Sequence, residues 1–241
     1  MSSRGPDVAP IGHEHADVTG GWLRPAVFGA MDGLVSNVAL IAGVAGGTAA
    51  SAGSAPVVLA GLAGLSAGAF SMAVGEYTSV ASQSEAARRE IDKERREIDV
   101  NEGGEIAELA AMYEQKGIER DLARQVAEQI HRDTERAVAV HAREEFGIDA
   151  DDLASPMLAA ISSFAAFALG ALVPLLPYLL GVDAVWPAVL VTMLALFACG
   201  AAVTRVTVRP WWYGGLRQML LGGAAAAITF FVGSAVGAGL G

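Results

Sequence analysis

The stretch Val57-Val-Leu-Ala-Gly-Leu-Ala-Gly-Leu-Ser-Ala-Gly-Ala-Phe-Ser-Met72-Ala-Val-Gly-Glu76-Tyr-Thr-Ser-Val-Ala81 runs, through Ser82-Gln-Ser84, into Glu85-Ala-Ala-Arg-Arg-Glu-Ile-Asp-Lys-Glu94-Arg-Arg-Glu97. Its first part is apolar and long enough to span a bilayer, its second is densely charged as far as Glu102, and neither Pro nor Gly interrupts it after Gly75. The pattern predicts one helix that leaves the membrane and continues into water. At about 100° per residue Met72 and Glu76 share a face, and Glu94, flanked by Glu90 and Glu97, returns to nearly the same angle. A carboxylate stripe would then reach from the apolar segment to a second site roughly 27 Å along the axis, a layout suited to moving a cation.

The rest of the chain agrees with a membrane protein. Hydrophobic side chains make up 53% of the 241 residues and mean hydropathy is +0.44, too apolar for a soluble domain of this size. Besides Val57 to Ala81, spanning-length blocks occur at Leu23 to Gly46, Ile161 to Leu180, Val185 to Val203 and Leu216 to Leu240. The polar N-terminus, residues 1–21, lacks the basic region and short apolar core of a signal peptide, so no cleavage is expected there. All 16 basic residues fall on one side of a five-span layout, which the positive-inside rule assigns to the cytoplasm together with the N-terminus. The expected fold is therefore all-α, with five transmembrane helices and a three-helix cytoplasmic domain between spans two and three. The segments are residues 22–87 for spans one and two, 88–152 for the polar domain, and 153–241 for spans three to five.

Charge narrows the partner. The formal net charge is −10, and residues 85–152 hold 20 Asp and Glu against 11 Lys and Arg. A basic nucleic-acid footprint is absent, and acidity at one membrane face implies a cation. The single Cys199 excludes an intrachain disulfide and a thiolate cage, leaving oxygen, imidazole and thioether as metal ligands.

Candidate ligands follow from spacing. Asp32 lies within the first apolar block, where an ionised carboxylate costs about 2.5–3.5 kcal/mol on insertion scales, so it should face a partner, a metal or a water-filled path. The plainer reading is an interfacial Asp capping a helix that begins at Gly33. Met72 and Glu76, at i and i+4, place a soft sulfur beside a hard carboxylate, a mixture that suits Fe²⁺ or Mn²⁺ better than Ca²⁺ or Mg²⁺. In the polar segment the first helix should end near Val100, Asn101 to Gly104 should break it, a second helix should run from Glu105 to Gln115, and a third from Glu119 to Phe146. Glu94 with Glu97, and Glu105 with Glu108, form two-carboxylate pincers; Met112 follows one turn on, and the third helix adds His141 and Glu145 at i and i+4. Solvated faces laced with helical ion pairs would produce a similar pattern. In the third span Pro174 and Pro177 should loosen the helix near its end.

Three strings carry a resemblance: Phe28-Gly-Ala-Met-Asp-Gly-Leu-Val-Ser-Asn37, Gly68-Ala-Phe-Ser-Met-Ala-Val-Gly-Glu-Tyr77 and Ala168-Leu-Gly-Ala-Leu-Val-Pro-Leu-Leu-Pro-Tyr178. In this order they resemble the vacuolar iron transporter family from about Leu23 to the C-terminus. The resemblance implies a homodimer of five-span subunits exchanging Fe²⁺ or a similar metal for protons, with no permanently bound cofactor. It implies Asp32, Met72 and Glu76 as the transport pathway, and Glu94, Glu97, Glu105, Glu108 and Glu145 as metal ligands of the inserted domain. His141 stands where plant members carry a Met ligand, a departure that bears on metal preference. With fourteen Arg against two Lys and Ala-rich spans, the expected setting is a bacterial inner membrane.

The leading expectation is a proton-coupled exporter of Fe²⁺ or Mn²⁺. A passive cation channel is the alternative within transport. From other classes come a di-iron carboxylate oxidase, disfavoured because such sites usually supply Glu-x-x-His at i, i+3 whereas His141 is followed by Glu145 at i+4, and a membrane scaffold whose acidic domain binds a basic partner.

Overall fold

A computed structural model describes residues 21–48, 53–206 and 209–240. The N-terminal segment expected over residues 1–21 thus lies outside the described residues except for Gly21. The elements are α1 (Leu23–Gly47), α2 (Ala55–Gln115), α3 (Arg120–Ile130), α4 (Thr134–Phe146), α5 (Pro156–Leu172), α6 (Leu176–Leu179), α7 (Val185–Val203) and α8 (Trp211–Leu240). Among the described residues, five helical stretches are long and apolar enough to cross a membrane: α1, the first part of α2, α5 with α6, α7 and α8. The chain is an all-α, multi-pass membrane protein, as the apolar blocks predict.

α1 is the centre of the apolar bundle, packed on α5, α8, α2 and α7. Leu34, Val38, Ile41 and Ala42 recur at helical spacing and are almost completely buried. Backbones approach closely because the contact residues lack side chains: a Cβ on Gly33 would collide with the Phe167 carbonyl of α5, and one on Gly233 with the Gly43 carbonyl of α1. Large apolar side chains of α2 (Leu59, Leu62, Phe70) and α8 (Ile228, Phe231) instead face outward, as a lipid-covered surface requires.

α5 begins at Pro156, with Ser155 capping it through its side chain and the Leu158 N–H. The two prolines act where expected. The helix passes through a 3₁₀ turn at Val173–Leu175 into α6, and Gly181, with φ of +85°, follows its end.

α2 spans 61 residues and has one non-helical residue, Asn101, at φ −144° and ψ 53°. The break foreseen over residues 101–104 is thus confined to a single position, and two helical arms, 55–100 and 102–115, meet there. The Asn101 side chain accepts a hydrogen bond from the Gly104 N–H at 3.3 Å, a local contact that competes with helix.

The polar segment departs from the expected three helices. The helix predicted from Glu119 to Phe146 is two, α3 and α4, separated at residues 131–133. Asp133 accounts for the division: its carboxylate accepts from the Arg136 N–H and caps α4, so the chain restarts a helix there. Gly147, at φ +66°, closes α4 in the left-handed conformation. Two small apolar clusters hold these pieces together. Ile91 and Ile98 pack on Ala137, Val138 and Ala142, while Leu109 and Ala110 pack on Ala123 and Ala127.

Candidate metal sites in the polar segment and the apolar bundle

Glu94 and Glu105 are eleven residues apart on α2, about 16 Å along an unbroken helix. Ligand atoms of Glu94, Glu105 and His141 nevertheless lie within 4.8 Å of one another. The bend at Asn101 makes this possible by folding the second arm back toward the first, and α4 delivers His141 between them. Ala127, Ala137 and Ala142 are completely buried, and their small side chains let the helices approach this closely.

Around His141 the polar geometry is tight. Its Nδ1 lies 2.7 Å from Glu145 Oε1 and 3.0 Å from Glu94 Oε1. The hydrogen bond goes to Glu145, one turn along α4, and Glu94 Oε1 is left buried without a hydrogen-bond partner. His141 Nε2 is likewise buried and unpartnered. Only 2% of Glu94 and none of His141 is exposed, so these groups cannot turn to water for compensation. Burial is the largest cause that pushes the Glu94 carboxyl up to about 7; His141 opposes it, while Glu145, Glu105 and Glu97 add to it. Glu105 is raised too, first by burial and then by Glu108. Orphaned buried acceptors and like charges crowded together are what a divalent cation would satisfy, and the mixed carboxylate and imidazole donors suit a first-row transition metal.

Of the predicted ligands here, Glu94, Glu105, His141 and Glu145 come together. Glu97 and Glu108 are exposed at the edge, where Glu97 pairs with Lys93 at 3.5 Å. Met112 packs in the apolar cluster around Leu109 instead of turning to the carboxylates. Ion pairs fasten the frame: Arg95 of α2 reaches Glu135 of α4 at 2.7 Å, and Lys116 pairs with Glu144.

In the apolar bundle a cleft of about 190 Å³ is lined by Asp32, Ser36, Asn37, Met72 and Phe167, among others. Ser36 Oγ donates to Asp32 Oδ1 at 2.5 Å, so Asp32 is oriented by its own helix. Asn37, which sequence reasoning passed over, is 2% exposed; its Nδ2 donates to the Ala171 carbonyl at 2.5 Å and its Oδ1 has no partner. The one available signal for it was a polar amide inside a spanning block. Glu76 lies outside that cleft, a turn beyond Met72. It is 8% exposed, its Oε2 makes no hydrogen bond, and Arg24 of α1 approaches to 3.9 Å. Asp32 and Met72 are therefore brought together, with Glu76 one step nearer the polar arm on the same uninterrupted helix.

Sequence comparison finds related chains. The profile of the VIT family matches residues 23–234. A protein of Acanthamoeba castellanii named vacuolar iron transporter is 41% identical over 68% of this chain, which spans 58% of that relative's length. Vacuolar iron transporter 1 of Arabidopsis thaliana is 32% identical over 89% of this chain and 86% of its own, and that of Eucalyptus grandis 32% over 93% and 90%.

Proposed function

This chain belongs to the VIT family, and on that premise we propose that it is a transporter, not an enzyme, that moves Fe²⁺ or Mn²⁺ out of the cytoplasm in exchange for protons. The observation that carries this reading is one helical arm, residues 55–100, bearing Glu76 buried in its apolar half and Glu94 buried in the acidic cluster. Residues 88–152 form the cytoplasmic domain that collects the metal through Glu94, Glu97, Glu105, Glu108, His141 and Glu145. The placement of every basic residue on one side of the five spans supports that orientation. Asp32, Met72 and Glu76 form the path, and their carboxylates exchange metal for protons because a proton and a divalent cation compete for the same oxygens. Two copies associate, and the metal is cargo, with no resident cofactor.

The test is flux in sealed proteoliposomes loaded with a metal-quenched dye and a pH dye. Wild-type protein is expected to pass Fe²⁺ anaerobically with counter-movement of protons, and Asp32→Ala or Glu76→Ala to abolish both while dimerisation persists. Wild-type flux in both variants would remove the proposed path, and metal flux without proton movement would make the protein a channel.

A further inference from the structure

Asn37 lies in α1 beyond Asp32, about 7.5 Å farther along the axis. α1 and α2 run in opposite directions: Arg24 meets Glu76, Asp32 shares a cleft with Met72, and Asn37 meets Gly64. Asn37 therefore stands on the side of Asp32 and Met72 away from the polar arm. Farther along the same helix Ile41 packs with Val57, Leu175 and Tyr178.

One contact fixes which way the Asn37 amide is turned. Pro174, in the 3₁₀ turn that follows α5, has no N–H with which to serve the Ala171 carbonyl, and Asn37 Nδ2 donates to that carbonyl at 2.5 Å. An amide that gives its N–H to α5 aims its oxygen elsewhere. Oδ1 faces α2, where a Cβ on Gly64 would stand 3.0 Å from it, and both residues line the cleft that holds Asp32, Ser36 and Met72. Only 2% of Asn37 is exposed, and Oδ1 has no hydrogen-bond partner. The tie to α5 explains the donor half of the side chain and leaves the acceptor half without a purpose. The Leu40 side chain covers the same spot, its Cδ2 being 2.5 Å from that Cβ position. Leu40 is 38% exposed, and exposed side chains change rotamer within nanoseconds, so this cover is a light one.

We infer that Asn37 Oδ1 is a further ligand for the transported divalent cation, receiving it after Asp32 and Met72 on the side away from the polar arm. The inference rests on reading that cleft as the metal path. An amide oxygen offers a cation the same kind of hard donor as a carboxylate, with two differences. It is neutral, so it holds the ion less firmly, and it takes up no proton where carboxylates titrate, so it stays out of the exchange between metal and protons. A path needs a point from which the ion can leave as well as points that capture it, and a neutral oxygen beyond the carboxylates supplies one.

Two full-length variants in sealed proteoliposomes test this, each read as Mn²⁺ flux and Co²⁺ flux against wild type. Asn37→Leu removes the oxygen together with the tie to α5. Gly64→Ala keeps that tie and sets a methyl group against the oxygen. Carbonyl oxygen suits Mn²⁺, whereas Co²⁺ makes better use of the Met72 sulfur that remains, so both variants are expected to lower Mn²⁺ flux several-fold more than Co²⁺ flux. An amide that only ties α1 to α5 predicts equal losses of the two metals in Asn37→Leu and an unchanged ratio in Gly64→Ala, and that result overturns the inference. If Asn37→Leu does not fold, the ratio in Gly64→Ala decides alone. Wild-type protein that passes neither metal would overturn the reading of the cleft as a path. Flux that Asp32→Ala abolishes, with the metal ratio unchanged in both test variants, would overturn the role of Asn37 alone.

Discussion

On the proposed reading of the acidic cluster, Glu94 is the residue on which pH and metal binding would meet. Its folded-state pKa, about 7 against an ordinary value of 4.5, means that the ion-free fold holds a proton there more firmly than the unfolded chain does. For a raised carboxyl the stabilising contribution is complete below the unfolded value and is lost as pH rises through about 7. The ion-free protein should therefore lose stability relative to Glu94→Gln between about pH 4.5 and 7, and metal should reverse the loss. Thermal midpoints of both proteins across that range, with chelator and with Co²⁺, check this; parallel curves would mean that Glu94 does not titrate there. Metal binding should weaken correspondingly as pH falls below about 7, by up to tenfold per unit where one proton is displaced.

At the scale of elements, the spans and the unbroken 55–100 arm were legible because their signals are local: long apolar blocks, and no helix breaker after Gly75. The site was only partly legible, because two sharp changes of direction decide it. Asn101-Glu-Gly-Gly marked a break, but not that a single residue would fold Glu105 back on Glu94. The break at residues 131–133 was missed likewise: on one helix from 119 to 146 His131 would lie about 15 Å along the axis from His141 and on another face, whereas the restart capped by Asp133 leaves their ring centres 5.2 Å apart. Asn101→Ala tests what holds the first bend. Ala favours helix and removes the acceptor of the Gly104 N–H, so the arms should straighten and Co²⁺ affinity should fall, with helical content by circular dichroism unchanged or slightly higher. Unchanged affinity would show that packing of Leu109 and Ala110 on Ala123 and Ala127 sets the bend by itself.

For the whole molecule the question is whether the acidic cluster and the bundle communicate through the shared helix or merely hang on the same chain. Glu76 and Glu94 are eighteen residues apart on a continuous arm, so their angular relation is fixed by helix geometry, and both sit on its buried side. The return path is the non-helical connector after Gly147, tied to the arm where Ser84 Oγ donates to the Ala154 carbonyl at 2.9 Å. Inserting two Ala residues between Ser84 and Glu90 turns everything beyond by about 200°, whereas four restore the phase to within about 40°. Four residues also lengthen the arm by about 6 Å against about 3 Å for two, and so strain the connector more. The two effects therefore oppose each other, and the measurement separates them. If the arm transmits or guides the ion along one face, the two-residue insertion should depress Fe²⁺ flux in proteoliposomes further than the four-residue one, despite its smaller stretch. Equal rates in correctly inserted protein would make the polar segment an independently tethered collector, and slower flux in the four-residue variant would place the constraint in the connector instead of the helix.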